Sequence, residues 1–258
     1  MNPFDLNIAR AYSEPDAFCP RPEIASVFQR AVTSQLWTLL DGDRRVGKSC
    51  AVVVNCVQNG WPILHVDLMG VSSEADISER FRWSWRFFRQ QEGMGFFSSA
   101  KGEVSAGVPG VLAVRLGAEA DDPSSWGNVI SAFDRRCVAH GGVLFIDELQ
   151  DVLELPKRLG TRFARSLRAT LQMTRHLTPV LAGSSQHLLA PLFDTAAAPF
   201  FKNLALCQHV GSLGRAGFVA WASARFAKQQ RLLEPAAVDR LIVTGRTAIA
   251  ESAVIGLK

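Results

Sequence analysis

The sequence predicts an α/β fold with three layers, in which a parallel sheet lies between two sets of helices. Three observations support this prediction. A glycine-rich loop at residues 42–49 joins an apolar segment to a valine-rich one, and a second apolar segment follows soon after. A further apolar segment ends in two acids, Asp147 and Glu148. Strand–helix–strand units of this kind assemble into parallel sheets covered by helices on both faces.

Composition is that of a globular protein with a sizeable core. Of the 258 residues, 48% are hydrophobic and 20% are charged, which fits one domain with a small appendage. The five cysteines are scattered and odd in number, so neither a disulfide framework nor a zinc site is indicated. We expect a cytoplasmic protein that does not associate with a membrane, because no apolar run approaches the roughly 18 residues of a membrane span.

The loop at residues 42–49, called the phosphate loop below, has the pattern G-x-x-x-x-G-K-S. Its glycines let the backbone turn N–H groups toward phosphate oxygens. Lys48 is expected to reach the β- and γ-phosphates of a nucleotide, and the Ser49 hydroxyl to join the shell of a Mg²⁺ ion. We assign nucleotide binding to the loop and the residue after it: Gly42, Asp43, Arg44, Arg45, Val46, Gly47, Lys48, Ser49 and Cys50.

The segments around the phosphate loop have the order that this chemistry needs. Residues 36–40 are predicted as a buried strand that ends just before the loop. Residues 50–58 are rich in valine, but a strand directly after the loop could not cradle phosphate. We therefore predict a helix there with Gly60 as its stop, and a second buried strand over residues 61–68.

The acidic pair at the end of another strand supplies the second half of the predicted site. Residues 143–146 are apolar and are followed directly by Asp147 and Glu148. Packing does not explain two adjacent carboxylates, which repel each other and lose solvation when buried. Ligands of parallel sheets gather at the carboxyl ends of the strands. Asp147 is expected to hold Mg²⁺, and Glu148 to polarise the water that attacks the γ-phosphate.

A third strand is predicted at residues 179–182, and polar residues follow it. Ser184 and Ser185 are candidates for contact with the γ-phosphate or for orienting the attacking water. The same residues are also typical of a cap that starts the next helix near His187. The residues alone leave both interpretations open.

Taken together, these motifs resemble those of AAA+-type P-loop ATPases, in particular the prokaryotic and archaeal ATPases related to STAND and origin-recognition ATPases. The resemblance implies an ATPase that uses ATP and Mg²⁺, with residues 18–23, including Arg21, near the adenine and with Ser184 or Ser185 as the first sensor. The segments that carry it are residues 2–4, 17–23, 42–49, 145–150, 181–185, 192–193 and 199–201.

The chain departs from this family at several points. Pro20 stands where the family has glycine, and residues 196–198 are alanines where a basic residue is usual. Arg246 is either a second sensor or a surface residue. A trans-acting arginine finger could come from four candidates: Arg162, Arg165, Arg168 and Lys202.

Three segments outside the site have their own predictions. Residues 80–89 alternate basic and aromatic side chains; at helical spacing, Phe81, Trp85 and Phe88 share one face, which predicts core packing, with a DNA or partner surface as the alternative. Residues 93–117 are rich in glycine and predict a hairpin-like insertion or a surface loop. A helix is predicted over residues 125–139.

The chain is expected to divide into an ATP-binding domain, residues 1–213, and a partial helical lid, residues 214–258. Two helices are predicted in the second part, around residues 218–227 and 236–243. The winged-helix domain that commonly follows in relatives has no room, so we expect either a minimal or a truncated member.

The leading functional hypothesis is a Mg²⁺-dependent ATPase whose hydrolysis is coupled to conformational switching. The alternatives are a nucleotide-dependent switch with little intrinsic hydrolysis, and a DNA-associated helper ATPase of transposition or replication. The net charge of +4 permits a nucleic-acid partner without requiring one. A homo-oligomer and a protein partner also remain open.

Overall fold

The computed structural model describes residues 8–93, 123–156, 158–184 and 186–228. Within these residues, five parallel strands form one sheet in the order β2-β3-β4-β1-β5. The strands are β1 Thr38–Asp41, β2 Ile63–Asp67, β3 Gly142–Asp147, β4 Leu177–Gly183 and β5 Leu206–His209. The helices are α1 Ile8–Ser13, α2 Pro22–Thr33, α3 Lys48–Asn59, α4 Glu74–Gly93, α5 Trp126–Arg136, α6 Leu159–Met173, α7 Gln186–Phe193 and α8 Arg215–Lys228.

Alternate residues of the strands pack into two separate cores, one on each face of the sheet. On β3, Leu144 and Ile146 belong to a core with α4, α5, α6 and α7. Val143 and Phe145 point to the other face and belong to a core with α1, α2 and α3. A sheet that is apolar on both faces must be covered on both. The predicted three-layer α/β fold is confirmed.

The strand order brings the ends of β1, β4 and β3 side by side. β4 lies between the other two, with Asp41 of β1 opposite Gly183 of β4. β3 pairs with β2 on its other side, and Asp67 is opposite Asp147 there. Since all five strands are parallel, the loops that follow them emerge at one edge of the sheet.

Helix α3 begins and ends at glycines. Gly47 is its N-cap with φ of 87°, and Gly60 is its C-cap with φ of 67°. Both conformations are left-handed, which glycine adopts without strain. The helix predicted over residues 50–58 is therefore confirmed, with two more residues at its start and one at its end. Val52, Val53 and Val54 are buried in the core on this face of the sheet, which outweighs their weak preference for helix.

Helix α4 confirms the core-packing interpretation of residues 80–89. Phe81, Trp85 and Phe88 are all buried, and the rings of Phe88 and Phe133 meet edge to face at 4.9 Å. The side chains of Arg86 and Arg89 are exposed on the opposite face. The amphipathic pattern thus follows from burial of one helix face in the core.

The other predicted elements differ from the structure mainly at their ends. The predicted strand over residues 61–68 is shortened to β2, and the strand over residues 179–182 is extended in β4. Helix α5 stops three residues before residue 139, and its N-cap Ser125 accepts a hydrogen bond from the Asn128 N–H. Strand β5 was not predicted, because its four residues alternate between partly buried and exposed and carry little hydrophobic signal.

Two predicted segments lie outside the described residues. Most of the glycine-rich insertion, residues 94–117, is one of them, and the second C-terminal helix near residues 236–243 is the other. The first C-terminal helix is α8. No helix in the described part of the chain is long and apolar enough to cross a membrane.

Candidate functional site

The phosphate loop links β1 to α3 through two glycines that no other residue could replace without strain. Gly42 has φ of 147°, and a Cβ there would lie 2.3 Å from the carbonyl oxygen of Val210. The Val210 N–H donates to the Asp41 carbonyl at 2.7 Å, so the segment after β5 is held close against the loop. Gly47 supplies the left-handed turn that starts the helix. The loop therefore leads directly into the N-terminal end of α3, where anions are favoured.

Lys48 is almost fully buried inside the curve of the loop, with 5% of its surface exposed. Its ammonium donates to the carbonyl oxygens of Gly42 at 2.7 Å and Asp43 at 2.9 Å. Burial lowers the pKa of Lys48, and the nearby carboxylates of Asp147 and Glu148 oppose that shift. The ammonium is thus held among backbone acceptors at the centre of the loop.

Ser49 and Asp147, the two predicted metal ligands, meet in the structure. The Ser49 hydroxyl donates to Asp147 Oδ2, which joins the first turn of α3 to the end of β3. His65 Nε2 lies 3.8 Å from the same oxygen, and the Glu148 N–H donates to Asp147 Oδ1 at 3.0 Å. Burial raises the pKa of Asp147, but His65, Ser49 and the Glu148 N–H outweigh it and hold the pKa below its usual value.

The two oxygen donors at this point fit a hard cation such as Mg²⁺. Among the described residues, no three His, Cys, Asp or Glu side chains are grouped to hold a metal ion. Mg²⁺ prefers oxygen ligands and commonly takes only one or two carboxylates, with water and substrate phosphates completing its shell. The hydroxyl of Ser49 and the carboxylate of Asp147 supply oxygens of this kind.

Glu148 follows β3 in a left-handed conformation, with φ of 50°. Its carboxylate accepts a hydrogen bond from the Gln150 side-chain amide. The same amide nitrogen lies 3.0 Å from Asp151 Oδ1 and 3.2 Å from the Ser184 hydroxyl. Sequence reasoning missed Gln150, because a single glutamine after a strand carries no signal of its own; its burial is a finding of the structure.

Ser184 is placed between the phosphate loop and the acidic strand end. Its hydroxyl accepts from Gln150, and the guanidinium Nε of Arg44 lies 3.4 Å away. Helix α7 begins two residues later, at Gln186, so the strand end is also close to a helix start. Ser185 lies outside the described residues. The structure therefore brings Ser184 to the predicted cluster and leaves the role of Ser185 a prediction.

A cavity of about 390 Å³, called the apolar cavity below, adjoins the phosphate loop. Its walls come from the segment before α2, one side of α3, and α8 with the turn before it. The resemblance placed residues 18–23 near the adenine, and the nucleotide-binding assignment covered residues 42–50; parts of both segments line this cavity. Sequence reasoning named no contact residue in the rest of α3 or in residues 213–221, because these walls come together only in the fold. The lining residues are Phe18, Cys19, Pro20, Arg21, Pro22, Ala25, Arg45, Val46, Gly47, Cys50, Ala51, Val54, Asn55, Gln58, Leu213, Phe218 and Trp221.

Arg21 connects the apolar cavity to the phosphate loop. Its guanidinium donates to the carbonyl oxygen of Val46 and, at 2.9 Å, to that of Gly211. Glu23 lies 3.3 Å from the same guanidinium. Arg21 therefore fastens two backbone segments that border the cavity.

Burial raises the pKa of the Cys50 thiol to about 11, and the Asp147 charge adds to this.

The arginine-finger candidates have contacts of their own in the described structure. Arg162, 72% exposed, forms a surface ion pair with Glu74 at 3.0 Å. Arg168 donates to the Pro199 carbonyl at 3.3 Å, and the Lys202 ammonium lies 5.3 Å from the centre of the Phe201 ring. Arg165 is exposed, and Arg246 lies outside the described residues. These contacts leave the finger an open prediction.

Solved structures that align with this chain include a Walker-type ATPase, an ORC1 protein and a Cdc6p protein. The Walker-type ATPase paby2304 of Pyrococcus abyssi aligns over 88% of this chain with a TM-score of 0.65 and 16% identity. The Aeropyrum pernix ORC1 protein, solved in complex with DNA, aligns over 95% of this chain with a TM-score of 0.49 and 12% identity. Cdc6p from Pyrobaculum aerophilum aligns over 89% of this chain with a TM-score of 0.48 and 10% identity.

The likeness to the Pyrococcus abyssi protein, at a TM-score of 0.65, shows the fold alone, which is the parallel α/β fold of P-loop NTPases. The alignments span 63% of the Pyrococcus abyssi chain, 61% of the Aeropyrum pernix chain and 55% of the Pyrobaculum aerophilum chain. Neither a protein-family model nor a curated protein sequence matches the chain.

Proposed function

We propose that this chain binds ATP together with Mg²⁺ and hydrolyses the terminal phosphoanhydride. The observation that carries the proposal is the hydrogen bond between Ser49 and Asp147. This bond places a hydroxyl from the phosphate loop beside a buried carboxylate at the end of β3. Lys48 and Glu148 are the neighbours of Ser49 and Asp147 in the sequence. Phosphoryl transfer needs a cation, a phosphate cradle and a group that orients water in one place.

Triphosphate binding is assigned to the loop and the start of α3. The backbone N–H groups there face an anion site, and the helix dipole adds positive potential. Lys48 now donates to carbonyl oxygens of its own loop. A triphosphate offers charged acceptors instead, and charge-assisted hydrogen bonds are the stronger ones. Because Lys48 is already positioned, little side-chain entropy is lost on binding.

Hydrolysis is assigned to Glu148 with help from Ser184. The Glu148 carboxylate accepts a proton from the attacking water, and the Ser184 hydroxyl binds an oxygen of the γ-phosphate. When bound, Mg²⁺ neutralises charge on the phosphate oxygens. Asp147 and Ser49 would hold that ion, and the hydrogen bonds that Asp147 accepts from Ser49 and from the Glu148 N–H orient its carboxylate.

The adenine is assigned to the apolar cavity. Its volume of about 390 Å³ suits a nucleobase with part of a ribose. Phe18, Phe218 and Trp221 offer aromatic surface to a planar base. Phe218 and Trp221 belong to α8, at the start of the proposed lid. Binding of the nucleotide would therefore influence the position of residues 214–228.

Phosphate release by three proteins tests the proposal: wild type, Lys48→Ala and Glu148→Gln, each over a range of protein concentrations with Mg²⁺ and ATP. Wild type should release phosphate, and both variants should lose that activity. Glu148→Gln should still bind ATP, whereas Lys48→Ala should bind it weakly. A specific activity that rises with concentration would indicate that assembly completes the site. Wild type that binds no ATP would refute the proposal.

One observation favours a nucleotide switch with little intrinsic hydrolysis as the second candidate. The Gln150 amide occupies one oxygen of the Glu148 carboxylate in this structure, so only the other oxygen is left to accept a hydrogen bond from water, and a carboxylate held in this way reorients less easily. In that case wild type would bind ATP tightly and release phosphate no faster than Glu148→Gln. The same comparison therefore separates the two candidates.

The exposed arginines of α4 support a DNA-associated role as a further hypothesis. Arg86 and Arg89 lie on the solvent face of the helix, and Trp83 beside them is 66% exposed. Basic and aromatic side chains together suit single-stranded nucleic acid. Binding of the whole chain to DNA should then weaken with salt and fall after Arg86→Glu and Arg89→Glu.

A further inference from the structure

We propose that Gln150 is a positioning residue for hydrolysis: its side-chain amide holds the Glu148 carboxylate and links it to Ser184. This inference rests on the function proposed above. Three acceptors surround the amide nitrogen, namely a Glu148 carboxylate oxygen, Asp151 Oδ1 at 3.0 Å and the Ser184 hydroxyl at 3.2 Å. They belong to the end of β3, the turn that follows it, and the end of β4.

Chemistry fixes which way the Gln150 amide faces. Ionised carboxylates only accept hydrogen bonds, so the side facing Glu148 and Asp151 must be the NH₂ group. The opposite orientation would place a carbonyl oxygen against two carboxylates. The amide nitrogen of Gln150 therefore faces the Glu148 carboxylate.

The amide has two hydrogens for these three acceptors. Glu148, Asp151 and Ser184 thus compete for them, and one acceptor is always served less well. The bond to Glu148 engages only Oε2 of the carboxylate, so Oε1 can accept a hydrogen bond from water while Gln150 holds the group. The contacts to Asp151 and Ser184 keep the amide in place beside it.

The position of Gln150 is determined from two further sides. Asp151 is itself held, because its Oδ2 accepts from the Gly70 N–H at 2.9 Å in the loop after β2. Ser184 is held by the Arg44 guanidinium, whose Nε lies 3.4 Å away. Gln150 therefore lies between the loop after β2 and the phosphate loop, with Glu148 as its remaining partner.

The surroundings of Gln150 argue against a role in packing alone. The residue is 4% exposed, and within the described part of the chain its Oε1 has no hydrogen-bond partner. A buried unpaired carbonyl is unfavourable, so an apolar residue would pack better here. Gly183 provides the room, since a Cβ there would lie 2.5 Å from that oxygen and 2.8 Å from Leu189 Cδ1. The amide hydrogens are what an apolar side chain would lack.

Two substitutions of Gln150 separate its amide from its shape. Gln150→Met keeps the length of the side chain and removes the donors, and Gln150→Glu keeps the shape and adds a charge beside Glu148 and Asp151. The control is Gln172→Met on α6, where the glutamine is exposed. For each full-length protein we would measure ATP dissociation constant, KM, kcat and the midpoint of thermal unfolding.

Gln150→Met should lower kcat about 10- to 100-fold, the range for loss of a hydrogen bond to a charged group. Its KM and ATP dissociation constant should stay within about threefold of wild type, since the triphosphate is bound elsewhere. Gln150→Glu should lower kcat at least as much, through repulsion. The control should match wild type. Combining Gln150→Met with Ser184→Ala should cost less than the product of the two single effects, because they share one array.

Wild-type kcat in both Gln150 variants would overturn the inference. So would a parallel loss of kcat, ATP affinity and thermal midpoint in both variants, which indicates a general structural role. Failure of the proposed function has a different signature, because wild type itself would then bind no ATP or release no phosphate. That result is obtained before any variant is made, and it would overturn this inference as well.

Discussion

The two ends of the candidate site differ in the polarity of the side chains that form them. The phosphate end, made of the phosphate loop, Asp147, Glu148, Gln150 and Ser184, is polar and held by hydrogen bonds between strand ends. The base end, which is the apolar cavity, is lined mainly by aliphatic and aromatic side chains. The first end is deep in the sheet edge, whereas the second is partly walled by a single C-terminal helix.

This difference indicates a division of labour. Charge on a triphosphate must be met by donors and a cation that are already in position, because reorganising them in the transition state would cost rate. A nucleobase needs apolar area of the right shape, and several walls can supply it. Substitutions at the phosphate end should therefore change chemistry or triphosphate binding, whereas those at the base end should change only affinity for the nucleoside part.

The largest expected effect is that of Glu148→Gln on phosphate release. Loss of a general base lowers rates by about 10²- to 10⁴-fold, while binding of ATP should stay within about threefold because the amide has nearly the same shape. Glu154→Gln, at an exposed glutamate of the same turn, is the matched control. Steady-state phosphate release and equilibrium binding measure the two quantities. Equal loss of both would show that the phosphate end does not separate binding from chemistry.

Lys48→Ala should weaken binding of both ATP and inorganic triphosphate. Removal of a charged donor from a phosphate costs about 1.5–3 kcal/mol, which corresponds to about 10- to 150-fold in the dissociation constant. Arg175→Ala, which removes an exposed cation just before β4, serves as control. Calorimetric titration with each ligand gives the comparison. A variant that loses affinity for ATP but keeps its affinity for inorganic triphosphate would show that Lys48 acts at the base end, contrary to the proposal.

Trp221→Ala should affect the base end alone. Loss of stacking on a base costs about 1–2 kcal/mol, so affinity for ATP should fall about 5- to 30-fold. Affinity for inorganic triphosphate should not change, since that ligand has no base. Trp83→Ala removes an exposed tryptophan that does not line the cavity and is the control. If both ligands lost affinity equally, the proposed division would fail.

The smallest effect concerns the thiol of Cys50 at the junction of the two ends. Its pKa is raised to about 11, so at pH 8 the thiol is neutral and reacts slowly with iodoacetamide. The rate should rise about tenfold per pH unit until the pH approaches that pKa. ATP at four times its dissociation constant should slow the reaction about fivefold. Mass spectrometry compares Cys50 with the exposed Cys207, which ATP should not protect.

Much of the fold was predictable because its signals are local. The phosphate-loop pattern, which must lead into a helix, and Gly60 as a stop were enough to predict α3, and apolar runs were enough to predict β2, β3 and β4. Strand β5 carried no such signal, since as an edge strand it needs no continuous apolar run. Gln150 was missed for a similar reason: a single glutamine after a strand has no meaning until its neighbours in space are known.

The sequence by itself determined the chemistry available to this protein. The spacing within residues 42–49 depends on backbone geometry over a few residues, and so does the position of two acids directly after an apolar strand. Tertiary structure decided which groups meet. Ser49 and Asp147 are 98 residues apart, and Arg44 and Ser184 are 140 apart. Parallel pairing of β1 with β4 and of β4 with β3 brings them together, and the order of strands in a sheet is set by long-range packing that local spacing does not encode.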